Sequence, residues 1–386
     1  MPGYWNLKYK IKTQAARKRT VQKLKVLREH VDEILPTRIV NDNLVLGTWN
    51  IRNFDNNTFG HGPRLKESLF YIAEIISSFD IVAIQEINYD LRPLDELMGI
   101  IGSKYDYIVT DETEGRSGND ERLGFIYDKT KISFKGIAGE IVLKKGRKIS
   151  SNDKELQFAR TPFTCAFQAG WFKFMFSTVH IYYGKSSKNT AAYKRRVDEI
   201  DAVAKFISRR SKKDSYNQIL VGDFNIDALG DKASKALTNN LKIFKNREGS
   251  NKKKNKYYDQ ISFLSKKDEI QLAKPCDGKE PHGVFSVFDC VFKDDEFTSY
   301  KKEVINSLNN RKAVIEAKLA KTSSATNKAK YKKGIASIAK VLKSDSEMEN
   351  YYLSEWRTFQ MSDHFPLWVV LETDFTDKYL NSIIKL

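Results

Sequence analysis

The stretch ILVGDFNID, residues 219–227, closes an apolar run with Asp223 and Asn225. Residues two apart in an extended chain share a face, so this carboxylate and this amide can point together at one ligand. Five further apolar runs carry a polar group in the same way. They hold Asn50 in GTWNIRNF, Glu86 in VAIQEI, His180 in STVHIYYG, Asp259 in KYYDQISFL, and Asp363 with His364 in MSDHFPLWVV. A buried charge is costly unless it is paired or metal-bound. One such residue is readily a satisfied core group; six sites repeating the arrangement describe one convergent pocket. Carboxylate and amide oxygens without cysteine suit a hard cation, Mg2+ or alternatively Mn2+ or Ca2+. The two histidines add groups that move protons near neutral pH. Metal, imidazoles and a basic rim together point to hydrolysis of a phosphate ester, because the metal and nearby donors offset charge on the phosphoryl oxygens.

Such groups need rigid elements behind them. Short apolar runs predict strands at 44–49, 81–85, 124–128, 172–182, 219–223, 259–264, 287–292 and 365–372, and helical periodicity occupies 64–79 and 189–210. Strand and helix do not alternate strictly, which favours a mixed-sheet α/β sandwich over an open parallel sheet. Residues 1–40 read as a basic N-terminal helical extension packed on the main domain, with Val21, Leu24, Leu27, Val31 and Ile34 at helical spacing and Pro36 as a stop. The remainder, 41–386, reads as one catalytic domain. Within it the loop 242–259 has seven Lys/Arg, and a basic helical hairpin looks inserted at about 296–350, turning at 321–327.

The 386 residues include 66 Lys/Arg against 49 Asp/Glu, a net charge of +17 that favours polyanionic partners. A hydrophobic content of 41% describes a folded protein. Cys165, Cys276 and Cys290 show no CxxC spacing, which argues against a disulfide framework or a zinc site. No apolar h-region follows the first basic residues, and no apolar run approaches the roughly 20 residues that span a bilayer. The expectation is a soluble, intracellular and cytoplasmic protein.

The ordered set N-I-R-x-F, Q-E, E-R-L-x-F-I-Y, V-H, G-D-F-N, Y-D-Q-I and S-D-H-x-P, from about residue 44 to 372, resembles the endonuclease/exonuclease/phosphatase superfamily, and within it the deoxyribonuclease I-like members. The resemblance implies a four-layer α/β/β/α sandwich of two mixed β-sheets flanked by helices. It also implies a Mg2+-dependent, weakly sequence-specific DNA endonuclease that leaves 5′-phosphate and 3′-hydroxyl ends. Glu86 would bind the metal, with Asn50 and Asp363 close to the same or a second position. Asp223 and Asn225 would orient the attacking water and hold the phosphate. Asp259 would fix His364, and Glu121 would fix His180. Arg52, Arg116, Arg122 and Arg160 stand where nuclease members touch DNA, and Lys252, Lys253, Lys254 and Tyr257 precede the Y-D-Q-I motif.

Rivals within the superfamily act on abasic DNA, RNA or a phospholipid such as sphingomyelin. His180 stands where abasic-site enzymes typically have Tyr, and KYYDQI replaces the Trp-Cys-Asp-Arg signature of phosphoinositide phosphatases. A rival from another class is a nucleic-acid-binding protein without catalysis, which the complete ligand set disfavours. The N-terminal helix or the hairpin is expected to restrain or target the site through a regulatory partner or a homo-oligomer. His30, His61 and His282 receive no role.

Overall fold

The computed structural model describes residues 2–384 apart from 55–56, 58–59, 62, 113–119, 152–153 and 275–277. One six-stranded sheet contains β1 (Asn43–Phe54), β2 (Ile81–Ile87), β3 (Tyr105–Val109), β4 (Arg122–Asp128), β13 (His282–Val284) and β14 (Leu367–Glu372), in the order β13-β14-β1-β2-β4-β3. The other contains β5 (Ser133–Glu140), β8 (Phe163–Ala169), β9 (Phe172–His180), β10 (Asn217–Asp223), β11 (Lys242–Ile243) and β12 (Asp259–Leu264), in the order β11-β12-β10-β9-β8-β5. A separate ribbon joins β6 (Ile149–Ser151) to β7 (Lys154–Leu156). Each large sheet is mixed in the same way: β1 runs parallel to β2 and β9 parallel to β10, with antiparallel neighbours on both sides.

The two-residue period of a strand explains the layers. Leu44 and Leu46 of β1 turn inward to meet the second sheet, whereas Val45, Trp49 and Ile51 turn outward. In β10, Ile219 and Val221 face inward and Leu220 outward. Both faces are therefore apolar, and the strands read as continuous apolar runs rather than alternating ones. Between the sheets lies an aromatic core in which Phe125 meets Phe176 at 4.9 Å and Phe163 at 5.4 Å between ring centroids. A polar link crosses it, from Gln85 Nε2 to Thr178 Oγ1 at 2.8 Å.

On the outer face of the first sheet pack α2 (Gln14–Ile34), α3 (Lys66–Ile76), α4 (Arg92–Ile101) and the base of α7 (Phe297–Lys321). The short α1 (Leu7–Lys10) leads into α2. The second sheet is covered by α5 (Ala191–Ser211) and α6 (Lys232–Thr238). The result is an α/β/β/α sandwich. α7 turns at 322–324 into α8 (Ala325–Val341), within the expected turn, and α9 (Asp345–Tyr351) continues through a π-turn into α10 (Arg357–Gln360). After β14, α11 (Thr376–Ile384) lies exposed.

The amphipathic N-terminal segment forms α2, capped by the Thr13 hydroxyl and buried through Thr20, Leu24, Leu27 and Val31. Val21, expected on that face, is exposed, and Thr20 occupies the buried position instead. Arg19 grips Glu67 of α3 and Glu303 of α7, and Lys23 pairs with Glu296, so α2 is fastened to the root of the hairpin. The strand expected at 287–292 is not formed. Val287–Asp289 make a 3-10 turn, and Val291 and Phe292 pack into the outer core without a ladder partner. Among the described residues no helix is long and apolar enough to cross a membrane. Cys165 and Cys290 are buried free thiols, and Cys276 lies outside the described residues.

Candidate active site

Strand register gathers the polar groups. At the C-terminal end of β10, Asp223 is paired with His180 of β9 on one side and Asp259 of β12 on the other. In the facing sheet Asn50 of β1 sits beside Gln85, so Glu86 follows one step further along β2. Because each central pair is parallel, both strands deliver their final side chains to the same end of the sandwich. Gly222 makes this possible: its φ is 127°, and a Cβ there would lie 2.1 Å from the Val179 carbonyl oxygen. The backbone turns sharply at Asn53 and Glu86, near the ends of β1 and β2, and at Asn225, just past β10, with φ of 46°, 62° and 53°. Such left-handed conformations are strained for non-glycine residues, and most of all for a Glu.

Two carboxylate–imidazole pairs face each other across Asp223. His364 Nδ1 meets Asp259 Oδ2 at 2.8 Å, and His180 Nδ1 lies 2.9 Å from Glu121 Oε2. The Nε2 atoms point at the same oxygen, Asp223 Oδ2, from 3.8 Å (His364) and 3.6 Å (His180). Asn50 Nδ2 donates to that oxygen at 3.2 Å and to Glu86 Oε1 at 2.9 Å. The Asn225 backbone N–H holds Asp223 Oδ1 at 2.8 Å, while the Asn225 amide donates to the Ile181 carbonyl. Burial opposes charge on His364, but Asp259 and Asp223 hold its pKa well above the ordinary imidazole range. Burial and Arg160 oppose charge on His180, yet Glu121 and Asp223 raise it as well. Burial likewise opposes ionisation of Glu121, and His180 and Arg160 nevertheless hold its pKa at about 2.

The oxygen donors fit a hard divalent cation. Asn50 Oδ1 is buried and has no hydrogen-bond partner. Burial and the neighbouring Glu121 charge push the Glu86 pKa up, with Asp363 adding to the effect. An orphan amide oxygen next to crowded carboxylates is what a cation would answer. Asp363 itself stands at the rim, 44% exposed and 3.8 Å from Arg52. A second group able to hold a metal comprises Asp223, Asp259 and His364, whose ligand atoms lie within 4.8 Å of one another, all buried.

The side chains expected to touch nucleic acid are mostly engaged inside the protein. Arg160 is buried and forks onto Glu121 at 2.6 and 3.0 Å. Arg122 binds the Thr110 carbonyl and Asp111. Lys252 donates to the Leu353 carbonyl, Lys254 pairs with Glu248 and Asp289, and Tyr257 bonds the Arg247 carbonyl. Arg52 lies at the rim with its guanidinium 3.8 Å above the Phe359 ring, bonded to Thr358. Lys253 is exposed with no carboxylate partner among the described residues, and Arg116 lies outside them.

Several supporting residues were not singled out from sequence. Ser362 Oγ donates to the Asn50 carbonyl and accepts from the His364 and Arg52 backbone N–H groups, while Trp49 Nε1 donates to the His364 carbonyl. Ser250 Oγ donates to Asp259 at 2.6 Å, and Tyr258 stacks on His364 at 5.4 Å between centroids. Arg196 is fully buried and binds Asp227 and the Asn225 carbonyl. A signal for it existed: Arg196 and Glu199 interrupt the apolar stripe of Tyr193, Ile200, Val203 and Ile207 on α5, and a charge on such a stripe needs partners.

Residues 47–243, half of the chain, match the Endonuclease/Exonuclease/phosphatase family. No curated protein shows a significant match. Similar solved structures include a mannosyl-6-phosphatase of Bacteroides thetaiotaomicron, 19% identical over 63% of this chain and 90% of its own, with a TM-score of 0.47. An endonuclease/exonuclease/phosphatase family protein from the same bacterium is 17% identical, covering 88% of this chain and 97% of its own at a TM-score of 0.48. The human nocturnin catalytic domain, with bound sulfate, is 11% identical over 63% and 89%, at 0.45.

Proposed function

Because this chain belongs to the Endonuclease/Exonuclease/phosphatase family, we infer that it is a divalent-metal-dependent phosphodiesterase whose substrate is nucleic acid. The finer reading is a weakly sequence-specific DNA endonuclease that leaves 5′-phosphate and 3′-hydroxyl ends. The observation that carries it is the pair of carboxylate–imidazole couples aimed at one oxygen of Asp223 from opposite sides. The net charge of +17 supports a polyanionic substrate.

Asn50 Oδ1 and Glu86, with Asp363 alongside, would hold Mg2+, which when bound offsets charge on the phosphoryl and leaving oxygens. Asp223, fixed by the Asn225 N–H and the Asn50 amide, accepts from the attacking water and aims it at phosphorus. The water oxygen bonds to phosphorus and its proton passes to Asp223, while the bond to O3′ breaks and O3′ takes a proton from the imidazolium of His180 or His364. Glu121 and Asp259 fix each ring so that Nε2 faces the phosphate. Sequence preference is weak in this reading, because the pocket offers donors to phosphate oxygens rather than to base edges.

The test is nicking of supercoiled plasmid with Mg2+ or Mn2+, with EDTA and His180→Ala as controls. Metal-dependent nicking that the variant loses is the expected result. A folded wild type that leaves plasmid, single strands and RNA intact refutes the nuclease assignment.

A further inference from the structure

The cations expected around the pocket are largely tied up internally, but a second basic surface is not. Between Ala317 and Ser344 the chain has eight lysines and no acidic residue. This segment runs from the outer end of α7 through the whole of α8. The hairpin is rooted by Phe297, Tyr300, Val304 and Leu308 of α7 and by Ile338 of α8. From Asn309 to Ser337 none of its residues is buried, so the two helices project as an arm. Lys318, Lys321, Lys328, Lys330, Lys332 and Lys333 are exposed on it and pair with no carboxylate among the described residues. These six like charges without a carboxylate partner destabilise a marginal helix pair by mutual repulsion. A partner that neutralises them relieves that repulsion.

The arm carries a groove of about 530 Å³ between its helices, lined by Arg311, Lys318, Lys330, Lys333 and Tyr331, with Gly60 at its inner end. A chain of contacts runs from this end to the catalytic pocket. A Cβ on Gly60 would lie 3.3 Å from Arg311 Cγ, so the loop abuts the arm. The next residue, His61, stacks on Phe359 at 3.9 Å and bonds Tyr351, and its carbonyl accepts from Ser307 of α7. Arg52 lies over the same Phe359 ring and faces Asp363 at the pocket rim. The inner end of the groove is therefore linked to the pocket rim through the buried His61 and Phe359 rings.

We propose that the α7–α8 arm is a second nucleic-acid-binding surface, gripping the phosphate backbone of a strand whose scissile phosphate lies at Asp223. This rests on the nuclease reading above. Lysines spaced along two helices meet a polymer that carries a charge about every 1.7 Å of duplex axis. The arm is poorly built for a lipid surface, because Val314 is its one exposed large apolar residue among those described.

The test is binding of a fluorescent duplex of about 30 base pairs in EDTA, where no cleavage is expected, across a salt series. Lys318→Gln, Lys330→Gln and Lys333→Gln are combined in the full-length chain. A matched triple, Lys12→Gln, Lys18→Gln and Lys25→Gln, makes the same charge change on the exposed side of the N-terminal segment. The arm triple is expected to weaken binding roughly 10-fold or more and to reduce the slope of log affinity against log salt by about 2 to 3, since each phosphate contact contributes about 0.9. Hydrolysis of a small diester, bis(p-nitrophenyl) phosphate, should be unchanged. Equal effects of the two triples, or no effect of the arm triple with its helices intact by circular dichroism, would overturn the proposal. Arm-dependent binding to phosphatidylserine vesicles with duplex affinity unchanged would overturn it in favour of a membrane. Failure of the nuclease reading registers separately, as a wild type that binds duplex and never nicks it.

Discussion

Replacing Glu121 with Gln probes the ionic chain that orients His180. Glu121 is 14% exposed and faces His180 Nδ1 at 2.9 Å and Arg160 Nε at 2.6 Å. Against burial, these partners hold its pKa at about 2, compared with 4.5 for an ordinary glutamate. That gap corresponds to about 3 kcal/mol of folding free energy at neutral pH. The folded value lies below the unfolded one, so the contribution is complete above pH 4.5 and is lost as the pH falls through about 2. Glu121→Gln also leaves the Arg160 guanidinium buried without its counter-charge, a change that typically costs about 3–5 kcal/mol. Urea unfolding of wild type and variant, followed from about pH 7 to about pH 3, reads the difference directly. We expect a gap of about 3 kcal/mol or more near neutrality that narrows steadily in acid. The same variant should lose roughly 10²- to 10⁴-fold in hydrolysis, because His180 no longer has a fixed tautomer. A gap smaller than about 1 kcal/mol, or one that does not change with pH, refutes the reasoning.

Gly222→Ala should cost about 3 kcal/mol or more, since its Cβ would collide with the Val179 carbonyl; thermal melts check this, and a stable, fully active variant contradicts it. Glu86→Gln should weaken Mn2+ binding by calorimetry roughly 10-fold or more without unfolding the chain. His61 is held to a pKa of about 3 by burial and by Arg311 and Arg52. Its folded value is depressed below the ordinary 6.5, so it adds stability fully above pH 6.5 that is lost as the pH falls toward 3. His61→Phe should therefore flatten the acid limb of a melting-temperature profile across that window, and an unchanged limb would count against the assignment.

Much of the sheet architecture is legible in the apolar runs of β1, β9, β10, β12 and β14, which are long enough to identify and are bounded by polar residues. Legibility fails where other forces decide. β5 carries two glycines and lies exposed at a sheet edge, so SFKGIAGE shows no buried face to read. The run 287–292 is apolar because it packs against α7 and α9–α10, and a short apolar run does not by itself distinguish strand from turn. For the site, motif order brought forward the residues that the structure gathers, including both carboxylate–imidazole pairs. It could not show that Arg160 reaches back to Glu121, 39 positions away, because such a pairing leaves no spacing signal. The same blindness explains the cations. A lysine that caps a carbonyl and one that faces solvent look alike in sequence, which is why Lys252 and Lys254 were grouped with Lys253.

The position of β14 has a consequence for synthesis. This strand, the latest in sequence of its sheet, is not at an edge but between β13 and β1, and Asp363 and His364 lie just before it. Trp49 and Asn50, among the first sheet residues made, receive the loop that carries His364 only after more than three hundred further residues have been added. A nascent chain that has not yet reached residue 363 therefore carries Glu121 with His180 but leaves Asp259 without its imidazole, so one of the two carboxylate–imidazole pairs is missing until β14 is about to be laid into the sheet.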